Sequence, residues 1–201
     1  MAYEVEILAR VLEDKEQMMD LLKKYKGGQL KEAGISLIHD IYFSDDISDD
    51  NRHGLNKGKD GIFWKCCRIR TSGEQAWMTF KVNHADEKGV WLYSDEFETE
   101  ISDPFIAQRI LEGIGLKVLV KIENERRVFC SDKYEIVLED VKDLGLFIEV
   151  ECKNVSEGED IDNLKKKIRI FLDSLDFKYE ELNKGKPELM LEKLKDKNRK
   201  E

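Results

Sequence analysis

No apolar run in the 201-residue chain approaches the roughly 20 residues needed to span a bilayer, and the N-terminus lacks a basic segment followed by an apolar one. Both absences argue against a membrane partner and lead to the expectation of a soluble, cytoplasmic protein. Cysteine is sparse and badly spaced for metal: Cys66, Cys67, Cys130 and Cys152 include an adjacent pair and no CxxC, so neither a zinc site nor a disulfide framework is indicated. Reduced packing residues are the expected role. Positive charge is in deficit, with 34 Lys and Arg against 43 Asp and Glu and a formal charge of -9, which argues against a nucleic-acid partner unless the basic residues are segregated. There is no internal repeat and no domain-sized linker. A single domain over residues 1–201 follows, with about 192–201 a charged, fraying tail.

What is present is strand after strand. Residues 2–11 alternate, and then "EDKEQMMDLLKKY" sets Met18, Leu21, Leu22 and Tyr25 on one helical stripe. "KGGQLKEAG" reads as a loop, and "ISLIHDIYF" as a strand that ends at "SDDISDDNRHGLNKGKDG", a long polar connection suited to cover a site. "IFWKCCRIRT", "QAWMTFKVN", "VWLYSDEFETEIS" and "LKVLVKIENERRVF" are rich in β-branched and aromatic residues and read as strands. A helix precedes the last of them, capped by Asp103, opened by Pro104 and stopped at Gly115. "YEIVLEDV" and "GLFIEVECK" form a hairpin by spacing, and Leu164, Ile168, Phe171, Leu172 and Leu175 mark an amphipathic helix. The sum is about eight strands with three or four helices at a few insertion points, an α+β pattern that favours a curved or closed antiparallel sheet over a doubly wound parallel one.

The charged doublets inside these strands carry the chemistry. Glu4 and Glu6, Arg68 and Arg70, Glu98 and Glu100, and Glu149 and Glu151 are each spaced by two, so each pair shares one face of its strand. On an exposed sheet they would be cross-strand salt bridges. In a closed barrel they would meet in the lumen, where each buried ion left alone costs several kcal/mol. A metal-bound polyphosphate satisfies both signs, with carboxylates on Mg²⁺ or Mn²⁺ and Arg or Lys on the phosphate oxygens.

The same residues resemble the CYTH superfamily, which groups class IV adenylyl cyclases with thiamine triphosphatases and inorganic triphosphatases. Its ExExK resembles "EVEIL", its D-x-Y-F resembles "DIYF" (Asp40 to Phe43), its R-x-R resembles "RIR", and its T-Y-K resembles "TFK" ending at Lys81. Its E-x-E resembles "ETE", its K-x-R resembles "NER" (Asn124 to Arg126), and its L-D-x-V followed by G-x-F-x-E-x-E resembles "LEDV" and "GLFIEVE". Order and spacing together, from about residue 3 to residue 191, make the likeness specific.

The resemblance implies an eight-stranded antiparallel closed β-barrel, the triphosphate tunnel, with peripheral helices. It implies Mg²⁺ or Mn²⁺ held by Glu4, Glu6, Glu149 and Glu151, and a substrate clamp of Arg68, Arg70, Lys81, Arg126 and, by a looser match in "GKPELML", Lys186. Lys81, Arg126 and Glu139 are its catalytic positions, with Glu98 and Glu100 orienting the clamp or binding a second metal. Three departures stand out: Leu8 and Asn124 occupy positions where the family places lysines, and Glu139 replaces an Asp. Lys121, three residues before Asn124, falls on the opposite face of a regular strand. The expected ligand is a triphosphate-bearing small molecule, and the expected activity is a class IV adenylyl cyclase's, ATP to cyclic AMP and pyrophosphate. A triphosphatase acting on thiamine triphosphate, a nucleoside triphosphate or tripolyphosphate is the alternative, as is a non-catalytic receptor. Monomer and homodimer are both open. Other motifs fall short: "GLNKGKDG" lacks the spacing and the Ser or Thr of a phosphate loop, and Asp45, Asp46, Asp49 and Asp50 lack the closing Glu of a calcium loop. His39, His53 and His84 form no metal spacing.

Overall fold

The computed structural model describes residues 2–25, 30–44 and 65–198. The connection after Ser44, with its acidic cluster, His53 and "GLNKGKDG", lies outside the described residues. The strands are β1 (Ala2–Glu4), β2 (Glu6–Val11), β3 (Lys31–Ser44), β4 (Lys65–Ser72), β5 (Gln75–Ala85), β6 (Trp91–Glu100), β7 (Lys117–Cys130), β8 (Tyr134–Val141), β9 (Gly145–Cys152) and β10 (Tyr179–Glu181). The helices are α1 (Lys15–Lys24), α2 (Pro104–Gly113), α3 (Ile161–Ser174) and α4 (Lys186–Asn198). The hydrogen-bonded order is β1-β6-β5-β4-β3-β7-β8-β9-β2-β10. This is the α+β, antiparallel-sheet fold with peripheral helices that the sequence indicated. Ten strands rather than eight arise because the N-terminal strand is interrupted at Val5 and because Tyr179–Glu181 pairs with β2. No helix among the described residues is long and apolar enough to cross a membrane.

Two compact units divide the chain, one of Met1–Ala2, Leu37–Glu123 and Asn183–Glu201 and the other of Tyr3–Ser36 and Asn124–Leu182. In the first unit, one sheet face is apolar. Phe43, Cys67 and Ile69 are buried there with Leu111 of α2, and Ile41, Met78, Phe80 and Val118 pack around them. Burying each large side chain of this kind contributes about 1.5–3 kcal/mol. Asp103 caps α2 by accepting a hydrogen bond from the Ile106 amide at 3.0 Å, and Gly115 (φ 103°) takes the left-handed turn that leads into β7.

In the second unit, Val5, Ile7, Ala9, Ile136, Leu138, Ile148 and Val150 form the apolar sheet face, all but inaccessible to solvent. Helix α3 packs on β2 and β9 with Leu164, Ile168, Phe171 and Leu172 buried, and α1 buries Met18, Met19 and Leu22. Asp14 and Asp160 cap these helices from the amides of Gln17 and Asn163. The β8–β9 hairpin turns through Asp143 (φ 68°) and Gly145 (φ 104°), as the spacing predicted.

One local expectation is corrected. "KEAG" belongs to β3 rather than a loop, and its exposure along Lys31–Ile35 explains why no apolar alternation marks it. The C-terminal segment is helical from Lys186 to Asn198, with Lys186, Glu188 and Met190 buried.

Candidate functional site

The opposite face of the first unit's sheet is where its charges collect. Antiparallel register sets Tyr42, Arg68, Thr79 and Glu98 in one row across four strands, because Tyr42 pairs with Arg68, Arg68 with Thr79, and Thr79 with Glu98. Asp40, Arg70, Trp77 and Glu100 form the row on one side, and Cys66, Lys81 and Glu96 the row on the other. Period-two alternation within each strand and antiparallel register between them together convert the spacings of "DIY", "RIR", "TFK" and "EFETE" into a two-dimensional charged lattice.

The bonds within it are unequal. Arg70 forms a bidentate pair: its Nε and Nη2 donate to the two carboxylate oxygens of Asp40, each at 2.8 Å. Lys81 Nζ lies 2.9 Å from Glu96 Oε2. Arg68 is held more loosely, since Nη2 donates to Thr79 Oγ1 at 3.0 Å while Glu98 and Glu96 stand at 3.5 and 3.8 Å. Thr79 in turn donates to Glu98 Oε2 at 2.8 Å. The buried Arg68 Nε has no hydrogen-bond partner among the described residues, an unmet donor in a desolvated setting that an anionic oxygen would satisfy.

Protonation states follow from this arrangement. Burial alone would raise the Asp40 carboxyl, but the hydrogen bonds and charge of Arg70, followed by the charges of Arg68 and Lys186, hold it below its ordinary value. Burial works against the charge on Arg68, yet Asp40, Tyr42 and Glu96 keep it firmly protonated. The Cys66 thiol is pushed up to about 12 chiefly by burial, so it is no thiolate nucleophile. Lys186 begins α4 and is itself buried; beside it, Glu188 folds back toward Gly185, where a Cβ would meet its Oε2 at 2.8 Å.

The second unit presents the complementary composition. Glu6 pairs with Glu151 and Glu151 with Glu135, and Leu8 pairs with Glu149 and Glu149 with Val137. Phe147 pairs with Arg10 and with Glu139, and Glu139 with Arg126, placing five carboxylates and two guanidinium groups on this face of β2, β9, β8 and β7. Arg126 lies 3.6 Å from Glu135. Arg10, in line with Phe147, sets its guanidinium 5.1 Å from that ring and donates to the Leu144 carbonyl at 3.0 Å. Glu6 and Glu139 are buried, as are Leu8 and Asn124. Asn124 Nδ2 donates to Glu139 Oε1 at 3.2 Å.

Among the described residues, no three His, Cys, Asp or Glu side chains converge as a ready cage for a metal ion. The register pair Glu6 and Glu151 offers two carboxylates side by side, which suits a Mg²⁺ ion that keeps waters and takes its other ligands from substrate phosphates.

Of the residues singled out from sequence, Arg68, Arg70, Lys81 and Glu98 come together in the first unit, with Lys186 close enough for its charge to act on Asp40. Glu100 lies one row further, beside Trp77, and is exposed. Glu6, Glu149, Glu151, Arg126 and Glu139 share a face in the second unit, and Glu4 precedes the break at Val5, half-buried. Burial alternates through Val120, Lys121, Ile122, Glu123 and Asn124, so no bulge turns Lys121 inward. Glu96 and Glu135 were missed. Glu96 extends the alternation of "EFETE" by one step, and Glu135 is found only by register, opposite Glu151.

The comparisons with known proteins agree with this layout. Residues 2–182 match the CYTH domain. A Methanocaldococcus jannaschii protein named "Putative adenylate cyclase MJ0240" is 27% identical over 86% of this chain and 89% of its own length. The PH1819 protein of Pyrococcus horikoshii superposes with a TM-score of 0.71 at 22% identity, covering 94% of this chain and 99% of that one. A Vibrio parahaemolyticus structure bearing the same adenylate cyclase label matches with a TM-score of 0.65 at 16% identity, over 87% of this chain and 89% of its own. At such identities the structural likeness speaks for the fold.

Proposed function

The chain belongs to the CYTH family, and from that premise we propose that it binds the triphosphate of a small molecule as its Mg²⁺ or Mn²⁺ complex and acts as a class IV-type adenylyl cyclase. The observation that carries the binding role is Arg68, whose buried Nε has no acceptor among the described residues, while its neighbour Arg70 is paired with Asp40 through Nε and Nη2. Arg68 and Lys81 grip phosphate oxygens, and Arg126 and Lys186 add charge. Each such charge-assisted contact contributes about 1.5–3 kcal/mol. Asp40 and the Thr79–Glu98 pair hold the guanidinium groups in place, which removes the entropy cost of ordering them at the moment of reaction.

Glu6 and Glu151, aided by Glu4 and Glu149, hold the metal, which neutralises phosphate charge when bound. In the cyclase reaction the ribose 3′-oxygen forms a bond to the α-phosphorus, the bond from that phosphorus to the bridging oxygen breaks, pyrophosphate leaves, and the hydroxyl proton is lost. The adenylate cyclase names of the relatives support this reading over the others.

A second reading is favoured by Leu8 and Asn124. Both are buried and uncharged where the family places lysines, and a missing transition-state donor costs about 10² to 10³ in rate. A triphosphatase or a non-catalytic receptor follows from such a loss. Incubation with ATP, thiamine triphosphate and tripolyphosphate, each with Mg²⁺ and with Mn²⁺, separates the classes by product. Cyclic AMP with pyrophosphate supports the cyclase, free phosphate replaces it with a hydrolase, and binding without product leaves a receptor.

A further inference from the structure

Two of the chain's departures from its family touch each other. Asn124 on β7 donates through Nδ2 to Oε1 of Glu139 on β8 at 3.2 Å, and both side chains are at least nine-tenths buried. A carboxylate can only accept at this position, so the amide is oriented by chemistry: its nitrogen faces Glu139, and its oxygen faces away. That oxygen, Asn124 Oδ1, is buried and has no hydrogen-bond partner among the described residues. A buried acceptor left unpaired is costly and is rarely retained without a use. Rotating the amide to offer nitrogen outward would press Oδ1 against the carboxylate, so Asn124 is fixed as an acceptor.

Phosphate oxygens at neutral pH are acceptors as well and cannot satisfy it. We infer that Asn124 is a specificity-determining residue whose amide oxygen takes a hydrogen bond from a hydroxyl or N–H group on the organic part of the ligand. The ligand class is therefore a donor-bearing organic triphosphate, such as a nucleoside triphosphate, in preference to inorganic tripolyphosphate. Glu139 is the positioning residue that holds the amide in this sense. This inference rests on the triphosphate-binding reading above.

The test is isothermal titration with Mg²⁺-ATP and with Mg²⁺-tripolyphosphate, on the wild-type protein and on Asn124→Lys and Asn124→Leu. Wild type is expected to favour ATP, and both variants to lose about tenfold of that preference, the worth of one hydrogen bond. In Asn124→Lys, which offers a cation, tripolyphosphate affinity should rise as well. An unchanged ratio of the two affinities in folded variants overturns the role of Asn124 while leaving triphosphate binding intact. Failure of wild type to bind either ligand overturns the triphosphate reading and this inference with it. Should both variants fail to fold, the wild-type ratio decides: a preference for ATP supports the inference, and tripolyphosphate bound as tightly as ATP defeats it.

Discussion

The charged sheet faces of the two units are built by one rule and end in opposite chemistries. On the first unit's face Arg70 stands beside Asp40, Lys81 beside Glu96, and Arg68 beside Glu98, with Thr79 bonded to both of the last two. In the second, Glu6, Glu135, Glu139, Glu149 and Glu151 share a face with Arg10 and Arg126, and Leu8 and Asn124 add no charge. Both faces are backed by an apolar face under helices, so the fold itself imposes neither composition. On the function proposed above, internal pairing would hold the first face ready for an anion, and the carboxylates of the second would suit a cation.

The sharpest way to break this contrast is to remove the anchor of the paired face. Asp40→Asn strands the buried Arg70 guanidinium and should cost about 3–5 kcal/mol, read as a lower urea midpoint. The same residue sets a pH dependence. Its carboxyl sits below the ordinary value of 3.8 in the folded state, so the unfolded chain binds the proton first as acid is added. The stabilisation is complete above about pH 4 and is lost as pH falls through the depressed value. Urea midpoints between pH 2 and 6 should show this loss in wild type, and a shallower one in Asp40→Asn.

On the carboxylate face the next largest effect is expected from Glu151→Gln, which should abolish metal-dependent turnover while the circular dichroism and melting temperature stay close to wild type. A collapse of the fold would instead mark Glu151 as a structural partner. Leu8→Lys restores a cation next to Glu149 and should raise triphosphate affinity about tenfold, with up to about 10² in rate if the contact tightens in the transition state. No change in either would show that residue 8 does not face the ligand. The smallest effect belongs to Lys15, whose half-exposed pairs with Glu125 at 2.8 Å and Asp140 at 3.2 Å lie on the unit's other face. Lys15→Ala should cost about 0.2–1 kcal/mol in a urea melt and leave ligand binding untouched.

The doublets were legible because strand alternation is local: Arg68 and Arg70 share a face whatever lies beside them. What lies beside them was not. That Arg70 belongs to Asp40 and Arg68 to Thr79 depends on register between strands, which the spacing of either strand alone leaves open. The Asn124–Glu139 contact is hidden for the same reason, since each residue reads as an isolated substitution until β7 and β8 are paired. β10 escaped notice because three residues carry no periodicity, and "KEAG" because an exposed strand end has no apolar side to show.

The central claim is that the paired face of the first unit is an anion clamp centred on Arg68. Arg68→Met keeps an unbranched apolar stem as far as the Nε position and deletes the donors. Isothermal titration of tripolyphosphate in the presence of Mg²⁺ should show an affinity at least about tenfold weaker than wild type, with the thermal unfolding still cooperative. Tripolyphosphate binding that is unchanged in folded Arg68→Met protein would contradict the account.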